Sequence, residues 1–348
     1  MADPVLHIKD SYYFEVPKRL WRYHYTDYDQ VPASMDFLKD EADHLHLSID
    51  QFDRAMDGKI LIPQPFAKLK NLYQVESGFG ISKFMVLELF AAIVLFVVFS
   101  RLAKRMNSQH QPQGRAWNML EAMLLFIRDQ VVRPAIGDHD DHAHHDDHEE
   151  NGVQGHLDHA VPVPAEHGAF RAHPADKLLP LFWTMFFFIL ACNLLGLIPW
   201  LGSPTGAFGV TFGLACITFA ATLVLGIMKF GPVGFWFNQV PSMDLPWYMR
   251  PLKLMIFAIE VMGLLIKHLV LSIRLLANMV AGHLVLLGIL GLIAGAAAAT
   301  SGTWTLVTFI SVFGSTLFSC LELFVAFLQA YVFTFLSALF IGAAMHHH

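Results

Sequence analysis

The run "LKLMIFAIEVMGLLIKHLVLSIRLLANMVAGHLVLLGILGLI" fills residues 252–293 without a proline, and its apolar side chains leave no face polar enough for bulk water. At 1.5 Å per residue its 42 residues make a helix about 63 Å long. A hydrocarbon core is only ~30 Å thick. A straight helix of that length would tilt by about 60°, beyond the usual 0–40°. The run therefore breaks or lies strongly inclined. Residues 304–345 form a second proline-free run of the same length, and "AGAAAATSGT" (294–303) joins the two as a small, uncharged turn.

Upstream lie two ordinary spans, 178–200 and 208–228, joined by the uncharged turn "LGSPTG" and flanked by Lys177 and Lys229. Cations mark the cytoplasmic ends of spans, so this turn faces outside. A first span, 84–102, ends in Arg101, Lys104 and Arg105 and has the same orientation. Between them "RAWNMLEAMLLFIRDQVVR" (115–133) spaces apolar residues helically but is interrupted by Glu121, Arg128 and Asp129. It reads as an interfacial amphipathic helix, with a second short span as the alternative. The fold class is all-α, a polytopic membrane protein with five crossings plus one interfacial helix. An odd count places the N-terminus outside and the C-terminus in the cytoplasm.

Composition agrees. Of 348 residues 55% are hydrophobic, and only eight of the 52 Asp, Glu, Lys and Arg residues follow residue 177. The net charge of −6 offers no basic footprint for nucleic acid. Cys192, Cys216 and Cys320 sit in apolar runs with no CxxC pair. Four regions follow: 1–80, a polar N-terminal tail on the outer side; 81–137, the first span and the interfacial helix; 138–177, a cytoplasmic linker; and 178–348, the transmembrane bundle. Nine His and nine Asp or Glu crowd residues 138–173, the composition of a solvated low-complexity segment.

The charges inside the bundle require a reason. Glu260, Lys267, His268, Arg274, Asn278 and His283 stand in the first long run, and Glu322 and Gln329 in the second. An ionisable residue at mid-bilayer costs about 2.5–3.5 kcal/mol on insertion scales and marks an ion route, with a structural ion-pair network as the alternative. Seven-residue spacing puts Glu260, Lys267 and Arg274 within about 40° of one face. Glu322 and Gln329 repeat that spacing on the antiparallel partner. His283 is half a turn around from Arg274 and points elsewhere. His283 and Glu322 fall on the outer half, Glu260 on the inner half and Arg274 between them.

"LSIRLLANMVAGHLVL" (271–286), together with "FIRDQVVRP" (126–134) and "FFFILACNLLGLIPW" (186–200), resembles the subunit a family of F-type ATP synthases. The resemblance runs from about residue 80 to 345. It implies that the two long helices form an inclined hairpin facing a ring of c subunits. Arg274 would be the essential stator arginine, Asn278 its companion and Gln329 the glutamine facing it. Glu260 would be the inner-pocket carboxylate, and Asn193, His283 and Glu322 would line the outer pocket. The function implied is proton translocation through two aqueous half-channels, coupled to ring rotation. The partners are the c ring, b-type peripheral stalk subunits, the remaining complex and lipid, with no cofactor or metal. The chain would sit in the inner membrane of a bacterial cell.

Many bacterial relatives have the acid and histidine of the outer pair exchanged relative to His283 and Glu322, which argues for a direct contact. His283 favours protons over sodium. The rival reading, a metal-ion transporter with a His-rich loop, lacks His and carboxylate one helical turn apart in any span. A purely structural anchor gives no reason to keep Arg274 in lipid. No GxxxxGK[ST] loop is present, so nucleotide chemistry belongs to partners.

Overall fold

The computed structural model describes residues 10–16, 48–56, 58–108, 114–136, 174–198, 201–238, 250–296 and 301–345. Most of the His-rich linker, the alanine turn at 297–300 and the terminal histidines lie outside them. Five helices are long and apolar enough to span a membrane: Lys83–Arg105, Ala175–Gly196, Phe208–Phe230, Leu252–Gly295 and Gly302–Met345. The five crossings read from the sequence are all present as helix. The chain divides into two compact units.

The first unit joins residues 1–110, 186–220 and 261–333. Its N-terminal part, where the sequence suggested only a polar tail, contains short antiparallel hairpins. Strand β1 (Tyr13–Glu15) pairs with β2 (Lys59–Leu61), which follows helix α1 (Ile49–Met56). Strand β3 (Ala67–Asn71) pairs with β4 (Gln74–Gly78). These strands, three to five residues each, are too short for the period-two signal that marks a strand in sequence. They are held by specific bonds. The Gln64 side-chain amide donates to the Ile81 carbonyl and accepts from the Ile81 N–H, both at 2.8 Å. The Tyr13 and Tyr73 hydroxyls meet at 2.6 Å, and burial raises the Tyr13 hydroxyl above its usual range, so it remains a neutral partner.

Helix α2 (Lys83–Ser108) begins directly after this layer. Ser82 caps it, its hydroxyl accepting from the Met85 N–H, while the Lys83 N–H donates to the Ser11 carbonyl at 2.8 Å. Farther along, Phe99 packs edge-on against Phe187 at 4.8 Å. The unit also contains the C-terminal part of α4 (Leu179–Gly196), the first half of α5 (Phe208–Phe230), and the facing stretches of α7 (Arg250–Gly295) and α8 (Ser301–Met345). Both long helices are unbroken, so the breaking alternative is excluded. Small and hydroxylic side chains buried in the unit, among them Thr211, Ser272, Ala326 and Ala330, let its helices approach closely.

The second unit joins residues 111–185, 221–260 and 334–348. Helix α3 (Arg115–Phe126) buries none of its side chains, then runs through a π-helical turn, Ile127–Val132, into a last turn, Arg133–Ile136. Ile127, Val131 and Val132 are fully buried there. The Trp183 indole N–H donates to the Leu124 carbonyl at 3.0 Å. Gly342 of α8 lies so close to the Ala135 carbonyl that any side chain would collide with it. Short helix α6 (Gly234–Asn238) places Phe235 against Gly226 of α5.

A charge network closes this unit across the linker. Arg133 forms a two-pronged contact with Asp176 (3.2 Å to each carboxylate oxygen) and also reaches Asp129 at 3.3 Å; Arg128 forks Asp129 at 2.8 and 3.0 Å. Asp176 lies in a 3-10 turn, Pro174–Leu178, so helical structure starts slightly before the linker boundary drawn at 177. The Arg128 guanidinium holds the Asp129 carboxyl below the usual carboxylate range. A carboxylate with a lowered value stabilises the fold above its unfolded value and loses that contribution as pH falls through the lowered one. The network is therefore complete at neutral pH.

Because Arg133 and Asp176 bring the two ends of the linker together, deleting residues 138–173 is expected to leave membrane insertion and the thermal midpoint of the purified protein nearly unchanged. Arg133→Ala should lower the midpoint, checked by the same thermal scans. A deletion variant that fails to insert would show that the linker itself holds the unit.

Candidate functional site

The buried face of α7 within the first unit is formed by Leu264, His268, Leu271, Ser272, Leu275 and Met279, which recur at helical spacing. Arg274 and Asn278 lie to one side of it and are exposed, with Val270, Ala277, Ala281 and Val285 on the same stripe. Lys267 is also exposed, whereas His268 is buried. The His268 Nδ1 lies 2.9 Å from the Leu264 carbonyl oxygen, and its ring packs edge-on against Phe219 at 5.2 Å. His268 thus holds helices together. Arg274 has no hydrogen bond or ion pair among the described residues. Its guanidinium stands on a stripe of small and apolar side chains, available to a group from outside the chain.

Behind that stripe the polar groups meet in pairs. The Asn278 Nδ2 donates to the Gln329 Oε1 at 3.2 Å. The His283 Nδ1 lies 3.5 Å from the Glu322 Oε1 and 2.9 Å from the Met279 carbonyl oxygen, and its Nε2 lies 3.1 Å from the Gly196 carbonyl oxygen. Carbonyl oxygens only accept, so both ring nitrogens are placed to donate, which an imidazolium satisfies beside a carboxylate. The contact expected between residues 283 and 322 is present. Glu322 is 6% exposed, and neither of its oxygens has a hydrogen-bond partner among the described residues. Gly282 is part of the reason it fits, since a Cβ there would collide with the Glu322 carboxylate.

Asn193 is buried on α4, and its amide is fully engaged. It donates to the Ala326 carbonyl at 3.2 Å and accepts from the Thr205 hydroxyl at 2.8 Å. It thereby ties α4 to α8 and to the turn after α4. Two cavities adjoin Glu322. One of about 570 Å³ has His283 and Glu322 in its wall together with Gly196 and Gly202. The other, about 20 Å³, lies among Asn193, Asn278, Glu322 and Gln329. That volume suffices for about one water, since a single buried water needs roughly 10–15 Å³. Glu322 is thus in the wall of both cavities, and the smaller one also touches the Asn278–Gln329 bond, one helical turn from Arg274.

Glu260 belongs to the second unit, where it is half-buried with no partner among the described residues. The geometry therefore brings together Asn193, Asn278, His283, Glu322 and Gln329 and leaves Arg274 exposed one turn from Asn278. Two groups were missed from sequence. Glu88 is the single carboxylate of the first span, half-buried with its Oε1 unpartnered among the described residues. Lys83 is buried at the start of α2, its Nζ against Gly202 and 5.4 Å from the Phe84 ring centroid. A lone acid in an apolar run was a legible signal for Glu88. Lys83 looked like an ordinary flanking cation. Among the described residues no three His, Cys, Asp or Glu side chains converge as a metal site.

Residues 167–342, which contain every site residue named above except Glu88 and Lys83, match the family described as ATP synthase A chain. The chain is 34% identical over 276 residues to ATP synthase subunit a of Myxococcus xanthus, covering 77% of this chain and 75% of that protein. It is 33% identical over 297 residues to ATP synthase subunit a 2 of Chlorobaculum tepidum, covering 84% and 71%. A third relative, ATP synthase subunit a of Chloroherpeton thalassium, is 33% identical over 306 residues, covering 86% and 77%.

Glu322→Gln and His283→Ala should each slow proton translocation in vesicles by about a hundredfold, the lower end of what a positioned proton-transfer group contributes. The exchange His283→Glu with Glu322→His restores the charge pair but not the two carbonyl contacts of His283. Its rate is expected above both singles and below the parent. An exchange no faster than the slower single would show that the pair is no functional contact.

Proposed function

The chain belongs to the ATP synthase subunit a family, and we propose a route by which its own residues carry the proton. As a member of that family it is a multi-pass membrane protein mediating proton translocation in the F-type ATP synthase. In our reading the proton enters from outside through the 570 Å³ cavity and is taken up by the His283–Glu322 pair. It passes the Asn278–Gln329 bond and protonates a carboxylate on a c subunit facing the exposed stripe of α7. The neutral carboxyl then rotates through lipid. On the inner side, near Glu260, it loses its proton and the anion is held by Arg274 before the next cycle.

The observation that carries this reading is the exposed Arg274, without a partner among the described residues, one helical turn from Asn278, on a helix that also contributes His283 to the pair with buried Glu322. An arginine suits the position because its pKa stays above ~12, so it supplies charge without relaying a proton. It both attracts the ring anion and blocks a direct leak between the two pockets. Lysine could deprotonate there and would be a weaker barrier. Alanines at 277 and 281 support the assignment of this stripe to the ring, since small residues let a partner helix approach.

In the same reading the partners are the c ring, b-type peripheral stalk subunits and the rest of the complex. The site is the inner membrane of a bacterial cell, with the N-terminus outside and the C-terminus cytoplasmic. The uncharged turns after α4 and α7 and the cationic flanks at Lys177 and Lys229 support that orientation. No observation favours metal transport.

Arg274→Ala is expected to abolish ATP-driven acidification of inverted vesicles while leaving insertion and assembly intact. The change removes a guanidinium whose insertion costs about 2.5–3.5 kcal/mol and breaks no bond among the described residues. Normal acidification by an assembled Arg274→Ala complex would refute the route.

A further inference from the structure

The wall of the 570 Å³ cavity contributed by α8 contains Ser315, Thr316, Ser319 and Cys320, and His283 and Glu322 lie deeper in the same cavity. The three hydroxyls are already committed as donors. Ser315 donates to the Val312 carbonyl at 2.9 Å, Thr316 to the same carbonyl at 2.8 Å, and Ser319 to the Ser315 carbonyl at 2.9 Å. What each can still offer is the lone pairs of its oxygen. With the 94%-buried Glu322 carboxylate, which accepts no hydrogen bond among the described residues, in the same wall, such oxygens favour water and cationic contents over anions. The Cys320 thiol is exposed in this wall. The other cysteines are outside the cavity: Cys192 is buried in α4, and Cys216 is exposed on α5.

We propose that Cys320 is a covalent modification site in the wall of the proton entrance, where a cationic thiol reagent arriving from the outer side closes the path to Glu322. This rests on reading the cavity as the outer entrance. Cys320 carries no proton-transfer step itself. The probe is a trimethylammonium-ethyl methanethiosulfonate. The Cys320 thiol loses its proton to water, and the thiolate attacks the sulfenyl sulfur. A Cys320–S–S–R bond forms as the thiosulfonate S–S bond breaks, and methanesulfinate leaves. No external oxidant is needed. The adduct occupies the cavity and places a fixed cation near Glu322, which opposes arrival of a second positive charge. Dithiothreitol reverses it by thiol–disulfide exchange.

The test uses cells expressing the complete ATP synthase with Cys216→Ser as background. Intact cells are treated with the reagent, membranes are then inverted, Cys320 is followed by peptide mass and pumping by ATP-driven acidification. Cys320 should gain the adduct. Pumping should fall about tenfold, the scale on which a new fixed charge perturbs a neighbouring proton-binding group. Dithiothreitol should restore it, and Cys320→Ser, pumping normally beforehand, should resist. Absence of the adduct, an adduct without slowing, or slowing that persists in Cys320→Ser would each overturn the proposal. Arg274→Ala without reagent separates the two levels. If that variant is inactive while the reagent results fail, only the Cys320 inference falls. If it pumps normally, the reading of the cavity as part of the route falls as well.

Discussion

A guanidinium on an apolar helix face, paired with no carboxylate among the described residues, is the constraint on which the other features depend. Arg274 has no partner among the described residues, and a lone cation in hydrocarbon costs several kcal/mol. In the proposed route the charge is tolerated because a mobile anion of the ring visits it and leaves neutralised, and that requirement accounts for the arrangement around it. The neighbouring stripe is small, so a partner helix can approach, and Asn278 stands one turn away with its amide already bonded to Gln329. Glu322 is buried beside His283, so among the described residues no carboxylate neutralises Arg274.

The separation is built by close packing. His283 is oriented by two carbonyl oxygens, those of Met279 and Gly196, and Glu322 lies where Gly282 leaves room. Asn193 fixes the depth of α8 relative to α4 by spending both halves of its amide on Ala326 and Thr205. A buried carboxylate with an imidazole 3.5 Å away is costly to split, because removing either partner leaves an uncompensated charge. In the proposed route the same pair exchanges a proton with water in the adjoining cavity, so stability and transport would draw on one set of contacts.

Much of this was legible in the sequence. Long apolar runs gave the five spans, and seven-residue spacing put Glu322 and Gln329 on one face, where they meet His283 and Asn278. Continuity of α7 and α8 was not legible, since length alone leaves a break and an inclination equally open. The strand pairs before α2 were invisible because strands of three to five residues are too short to carry a period-two signal. The Arg133–Asp176 fork spans 43 residues, and nothing local marks it. Asn193 stands out in the sequence as a polar residue in an apolar span, but its structural duty shows only when Thr205 and Ala326 are placed beside it.

The central claim is that the Arg274–Asn278 stripe meets the ring while the His283–Glu322 pair stays behind it. Disulfide cross-linking in the assembled complex tests this directly, using a cysteine at exposed Ala277 and another beside the carboxylate of the c subunit. The account predicts a ready a–c cross-link through Ala277→Cys and none through a cysteine at Leu271, which is buried on the inward face. A cross-link through Leu271→Cys in an active, assembled complex, with none through Ala277→Cys, would contradict it.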